Sequence, residues 1–287
     1  MSTRFAVRAE RPAERDLFAR LVDDAAVFPP GLAPLDRAVA EHLARQDHPH
    51  ADLVGPLLVP ASAAGDLVEL ERPGPLRVGL IARPGTPHQV VVDALATLQD
   101  VRDLEVTGVE IGWSPDWEEA LAWDLPLSVE VPRETTARTR ALAQLREAQG
   151  ESVRLQAKFR TGSTPHQPVP TAEELASFIR DCLDLDLSFK LTGGLHHVLA
   201  HTTEDGEEQH GLLGVLAATR FAIDGGDVDE LASLVCSRDP AALLDIITRM
   251  SDAEASVVRG FFTAYGCCGV LDPIGELDEL GLLTATR

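Results

Sequence analysis

Short apolar runs recur about every 20 to 30 residues in this chain, and a segment with helical periodicity follows most of them. No other feature constrains its fold as strongly. Strands are predicted at Ala25–Phe28, Leu53–Pro60, Leu76–Arg83, Val106–Trp113, Leu125–Val131, Ser152–Arg160, Leu187–Thr192 and Phe261–Val270. Between them "LAPLDRAVAEHLARQ", "TPHQVVVDALATLQDV", "TTARTRALAQLREAQ" and "TAEELASFIRDCLDL" place apolar residues at helical spacing. The last opens on Thr171 with Glu174 three residues on, a capping box. Strand–helix alternation at this spacing implies parallel strands. Eight units in 287 residues predict a single closed (β/α)8 barrel over residues 1–287. An open doubly wound sheet is the alternative, but no G-x-G-x-x-G follows the first strand, so dinucleotide binding has no support.

One interval breaks the rhythm. Lys190 to Cys267 spans 77 residues and holds the polar run "HTTEDGEEQH" and two helix candidates, "GLLGVLAATRFAI" and "DPAALLDIITRM". Residues 195–260 are read as a helical excursion before the last strand, serving as a lid or a subunit contact.

Alternation along a strand sorts side chains onto two faces. In the sixth strand Val153, Leu155, Ala157 and Phe159 oppose Arg154, Gln156, Lys158 and Arg160. In the seventh, Leu187, Phe189 and Leu191 oppose Ser188, Lys190 and Thr192. The apolar set must meet the helices, so the polar set points into the barrel. Glu110 and Glu130 follow from the same parity on the fourth and fifth strands. Lys158 and Lys190 are the only lysines in the chain, against 23 arginines, and there is no asparagine. Where only positive charge is needed arginine serves, but a guanidinium cannot act as a nucleophilic amine. Two adjacent lysines are expected to repel, so that one loses its proton near neutral pH and attacks a carbonyl, with Glu110 or Glu130 moving protons. An internal salt-bridge network and an anion clamp of Lys158, Arg160 and Lys190 are the other readings.

These residues resemble the class I aldolase barrels, most closely the deoxyribose-phosphate aldolase family. There a lysine opens K-x-x-T-G on the sixth strand and a second opens K-x-[ST]-G-G on the seventh. Here stand Lys158-Phe-Arg-Thr161-Gly162 and, 32 residues on, Lys190-Leu-Thr192-Gly193-Gly194. Glu110 in "TGVEIGW" falls near that family's fourth-strand acid, with Glu where the family has Asp, and Glu130 in "LSVEVP" resembles its acidic fifth-strand end. The resemblance covers mainly residues 106–194. It implies Lys158 as the Schiff-base lysine, Lys190 as the neighbour that lowers its pKa, and Glu110 in a proton relay. Arg160, Thr192, Gly193, Gly194, His196 and His197 would hold the polar end of a small carbonyl or sugar-like substrate, without a cofactor. "GCCG" (Gly266 to Gly269) puts thiols where the family has the hydroxyls of a phosphate loop, and the long excursion is not the family's.

"GLHHVLAH" supplies a competing reading. His197 and His201, four apart, would share a helix face and, with His196 or His210 and Glu110 or Glu130, hold a divalent metal for a lyase or hydrolase. His196 or His197 could instead serve as acid or base beside a lysine amine. A sugar- or anion-binding barrel without turnover is a third reading. "DDAAVFPPG" places Asp23 and Asp24 before the first strand, away from the expected site, with a turn after it. Trp113, Trp117 and Trp123 either wall a pocket or pack a loop, and Cys267 and Cys268 are read as structural thiols. A net charge of −21 argues against nucleic acid and anionic lipid as partners. No apolar run approaches the roughly 20 residues that span a bilayer, and "MSTRFAVRAERPAERD" shows no secretory apolar stretch. Cytoplasmic location with reduced thiols is the expectation, and self-association is expected by analogy with other barrels.

Overall fold

The computed structural model describes residues 13–150 and 154–283. Val153 and the amino-terminal stretch "MSTRFAVRAERP" lie outside them. Eight parallel strands close into a barrel: β1 (Val22–Asp24), β2 (Val54–Pro60), β3 (Leu76–Ile81), β4 (Leu104–Gly112), β5 (Leu127–Glu130), β6 (Leu155–Arg160), β7 (Phe189–Thr192) and, last in the chain, β10 (Phe262–Cys267). β10 pairs with β7 on one side and β1 on the other, which seals the sheet. Hence the closed barrel is observed and the open sheet is excluded.

The helices are α1 (Ala13–Phe18), α2 (Leu35–Ala44), α3 (Ala64–Glu69), α4 (His88–Leu98), α5 (Thr135–Ala148) and α6 (Ala172–Asp184). A 3₁₀ turn, Trp117–Trp123, replaces a helix after β4. Between β7 and β10 lie a hairpin of β8 (His201–Thr202) and β9 (Glu208–Gln209), then α7 (Leu212–Ile223), α8 (Val228–Val235), α9 (Pro240–Thr248) and α10 (Asp252–Phe261). α11 (Leu271–Glu279) follows the last strand. Among the described residues, no helix is long and apolar enough to cross a membrane.

Local chemistry explains where the elements start. Thr171 and Glu174 form the reciprocal capping box of α6, which stops at Leu185 before Asp186 takes a left-handed φ of 52°. The Glu134 carboxylate caps α5 by accepting from the amides of Thr136 and Ala137. α6 presents Leu175, Phe178, Ile179 and Cys182 to the sheet, while α7 is apolar nearly all round and buried accordingly.

An aromatic stack ties these helices to the strands that carry the lysines. Phe159 stacks on Phe178 of α6 at 4.6 Å, Phe178 meets Phe189 edge-on at 5.5 Å, and Phe189 stacks on Phe262 at 5.4 Å. These rings leave the outer faces of β6, β7 and β10 no freedom to turn over. Lys158 and Lys190 are thereby held inward, directly opposite one another in register.

The first strand departs from expectation. It runs Val22–Asp24, ahead of the predicted Ala25–Phe28. Residues 25–28 form a turn in which the Phe28 amide donates to Ala25 O. The apolar run drew the prediction off, whereas pairing with Tyr265, Gly266 and Cys267 fixes the strand on the acids.

Candidate active site

The barrel axis is lined with charge. At its lower level the contacts are neutral: Gln156 Nε2 donates to Ser128 Oγ at 2.8 Å, and Thr263 Oγ1 donates to Gln156 Oε1 at 2.5 Å. Above them the ionic groups alternate in sign across the barrel. Arg160 Nε donates to Glu130 Oε1 at 3.0 Å, and Glu130 Oε2 lies 3.0 Å from Lys158 Nζ. Lys158 Nζ lies 2.8 Å from Glu110 Oε2. The other oxygen of Glu110 accepts from Lys190, whose ammonium also donates to Asp23. Glu110, Lys158, Lys190 and Asp23 are each at most 5% exposed, and Arg160 opens to solvent at the mouth.

Asp23 was missed by the sequence reading, which placed it outside the site. On β1 the parity sends Asp24 outward, where it accepts from Arg45 NH1 at 2.6 Å and pairs with His42 Nδ1 at 2.9 Å. Asp23, one residue earlier, must then face the axis. Gly55 on β2 makes room for it, because a Cβ there would lie 1.8 Å from Asp23 Oδ1. Gly55→Ala is expected to push that carboxylate off Lys190 and cost about 1–3 kcal/mol by overpacking. Urea unfolding measures it, and an unchanged midpoint would mean the aspartate has another place to go.

The ionisation states also depart from expectation. Repulsion between the lysines was expected to free an amine. Instead Glu110 stands between them. Burial alone would lower the Lys158 pKa, but Glu110 and Glu130 outweigh it and hold the ammonium above its ordinary value. Lys190 is raised as well, as Asp23 and Glu110 overcome burial. Burial would raise Glu110, yet the two ammonium groups hold it down at about 2. Asp23 goes the other way: burial outweighs Lys190, and its carboxyl titrates above the usual aspartate value. Two cations with a shared anion between them are each stabilised as cations.

The loops after β6 and β7 touch. A Cβ on Gly162 would fall 1.4 Å from the carbonyl oxygen of Gly193, so this crossing demands glycine. The Thr161 amide donates to Thr192 O at 2.8 Å, which locks the two strand ends together. Gly193, Gly194 and Thr192 thus form a joint beside Arg160.

The histidines do not gather as the metal reading requires. "GLHHVLAH" is not a helix. The His197 and His201 rings do meet edge-on at 4.3 Å, but His197 Nδ1 pairs with Glu276 Oε1 on α11 at 2.5 Å. His210 is buried elsewhere, its Nε2 paired with Pro170 O at 2.8 Å. His196 sits by the end of β10, with Nδ1 3.6 Å from Cys267 Sγ and 3.9 Å from Cys268 Sγ. Burial lowers its pKa and pushes the Cys267 thiol up to about 12, so neither thiolate nor imidazolium is favoured there. The tryptophans pack the loop after β4: Trp117 is buried and Trp113 Nε1 donates to Gln144 Oε1 at 2.9 Å.

No protein-family model matches the chain, and no curated protein matches it. Among solved structures it is similar to the HMG-CoA lyase from Brucella melitensis, with a TM-score of 0.41 and 12% identity, over 94% of each chain. That likeness is too distant to carry chemistry across, and the site stands on its own residues.

Proposed function

We propose that the protein is a lyase that forms an imine between Lys158 and a small aldehyde, ketone or sugar-type substrate. One observation carries this reading: Glu110 joins both lysines of the chain inside the barrel, with a second carboxylate on the far side of each. The likeness of the two lysine motifs to the class I aldolases supports it.

At rest Lys158 is an ammonium, so its proton must move first, and Glu110 and Glu130 both lie within reach. The freed amine adds to the carbonyl carbon, and the oxygen takes up protons and leaves as water. The iminium then draws the electrons of the adjacent C–C bond while a carboxylate removes the proton of the β-hydroxyl. Protonation of the resulting enamine on carbon, followed by hydrolysis, returns the lysine. An iminium carries the same charge as the ammonium it replaces. The flanking carboxylates therefore stabilise both, and only the neutral amine between them is costly. Lys190 keeps Glu110 ionised at rest, ready to receive that proton. Imine formation should then accelerate as pH rises above neutrality.

The test is borohydride trapping with a panel of small aldehydes, ketones and hydroxyaldehydes between pH 7 and 9, read by intact mass and peptide mapping. Apart from the N-terminal amine, the chain offers two amines. A carbonyl-dependent adduct on Lys158, lost in Lys158→Arg, is the expected outcome. If neither lysine is modified by any member of the panel, the ion-pair chain is a charged lining for reversible binding and the lyase reading fails.

A further inference from the structure

A second constellation lies at the same end of the barrel, on the loops that follow β3 and β4. His88 begins α4, Asp116 lies in the loop after β4, and Glu119 lies in the 3₁₀ turn beyond it. One nitrogen of His88 and one oxygen from each acid all fall within 4.8 Å of one another. His88 and Asp116 also line a cavity of about 210 Å³, together with Ala82, Ile111, Gly112 and Ser114.

Three features set this group apart from an ordinary acidic surface. First, His88 Nδ1 is shut off from solvent and makes no hydrogen bond among the described residues, while Glu119 Oε2 stands 3.6 Å away. A ring nitrogen that faces a carboxylate at 3.6 Å without a hydrogen bond between them is placed to share an ion with it. Second, the imidazole is held in place by Trp123, which meets it edge-on at 5.5 Å. Third, Ser114 Oγ donates to one oxygen of Asp116 at 2.6 Å, orienting the carboxylate and leaving the other oxygen for a ligand. Arg83 lines the same cavity, but its guanidinium is drawn over the Phe28 ring, 5.5 Å from the centroid.

We propose that His88, Asp116 and Glu119 bind a divalent transition-metal ion at the rim of the barrel. One imidazole and two carboxylates suit zinc, cobalt or manganese better than magnesium or calcium, which favour oxygen alone. Metal–ligand bonds of about 2.0–2.2 Å put ligand atoms about 3–3.5 Å apart, so binding would draw these three side chains closer together than they stand here. Three protein ligands leave at least one position open toward the cavity. The site is distinct from the histidines after β7 and does not depend on the lysine chemistry.

Isothermal titration of the metal-stripped protein with zinc chloride, and cobalt substitution followed by its visible absorption, test it. One equivalent should bind, with a cobalt spectrum of mixed nitrogen and oxygen ligation. His88→Ala and the exposed Glu119→Gln should each weaken binding at least about tenfold. His197→Ala should not. Thermal melts of the metal-free variants separate lost ligation from lost folding. Failure of wild type to bind one equivalent overturns the proposal, as does binding that survives both site substitutions or disappears with His197. Borohydride trapping in chelator keeps the fate of the lysine reading separate.

Discussion

Glu110→Leu should cost about 3–5 kcal/mol of stability, because it leaves two buried ammonium groups facing each other without the anion they share. Glu110 Oε1 accepts from Lys190 and its Oε2 lies 2.8 Å from the Lys158 ammonium, and both lysines are nearly inaccessible to water. Removing it also reverses the balance that raises their pKa values. Burial and mutual repulsion would then dominate, and at least one lysine would lose its proton near neutrality. Competitive reductive methylation across pH reports the titration of each lysine, and urea unfolding reports stability. The double variant Glu110→Leu with Lys158→Met should recover much of the loss, since it replaces a buried pair by apolar groups and leaves Lys190 with Asp23. A loss below about 1 kcal/mol in the single variant, with lysine titration unchanged, would show that the shared carboxylate does not hold the chain of charges together.

The same variant bears on catalysis in a way that separates two roles of Glu110. A carboxylate that only holds charge would, once removed, yield a more reactive Lys158 and faster adduct formation at pH 7. A carboxylate that also carries the proton would slow turnover even as trapping accelerated. A faster adduct with slower carbon–carbon cleavage is the outcome expected here.

Parity explains how much of this site the sequence exposes. Leu155, Ala157 and Phe159 are buried against the helices, so Lys158 has to face inward, and the same holds for Lys190 between Phe189 and Leu191. The barrel follows from the spacing of such strands. Asp23 escapes because β1 is three residues long and the more apolar stretch sits just after it. The signal available was the pair of adjacent acids inside the apolar "LVDDAAVF"; both are buried, one serving the axis and one the helix α2. Charge balance was also illegible. Two lysines on adjacent strands suggest repulsion, but which carboxylate reaches between them depends on the fourth strand lying across the barrel. That is a matter of closure and shear, not of neighbours in sequence. The histidine cluster misled for a related reason: a spacing of four implies one face only if the segment is a helix, and Gly193 and Gly194 instead open a loop.

Acid titration of stability supplies the second large effect, and its sign follows from the direction of each shift. The Glu110 carboxyl falls from an ordinary 4.5 to about 2 in the folded protein. Its contribution is therefore complete above pH 4.5 and disappears as pH drops through about 2, on the order of 3 kcal/mol. Glu130, lowered because Lys158 and Arg160 outweigh its burial, acts in the same direction. Asp23 opposes them. Its folded carboxyl is raised, so it takes up a proton more readily in the folded state and offsets part of the loss on acidification. The lysines stay protonated, folded or unfolded, over this whole range and contribute no slope. Glu110→Gln should accordingly flatten the fall in unfolding free energy between pH 5 and 2, although it is less stable than wild type at pH 7. On the alkaline side the raised Lys158 and Lys190 give stability that is complete below their ordinary pKa and declines only at higher pH. Urea unfolding of wild type and Glu110→Gln at intervals from pH 2 to 7 decides the matter. Parallel curves would place the acid limb on surface carboxylates and deny Glu110 its depressed pKa. Converging curves would show that the two ammonium groups hold Glu110 ionised at rest, so that it takes a proton only as Lys158 gives one up.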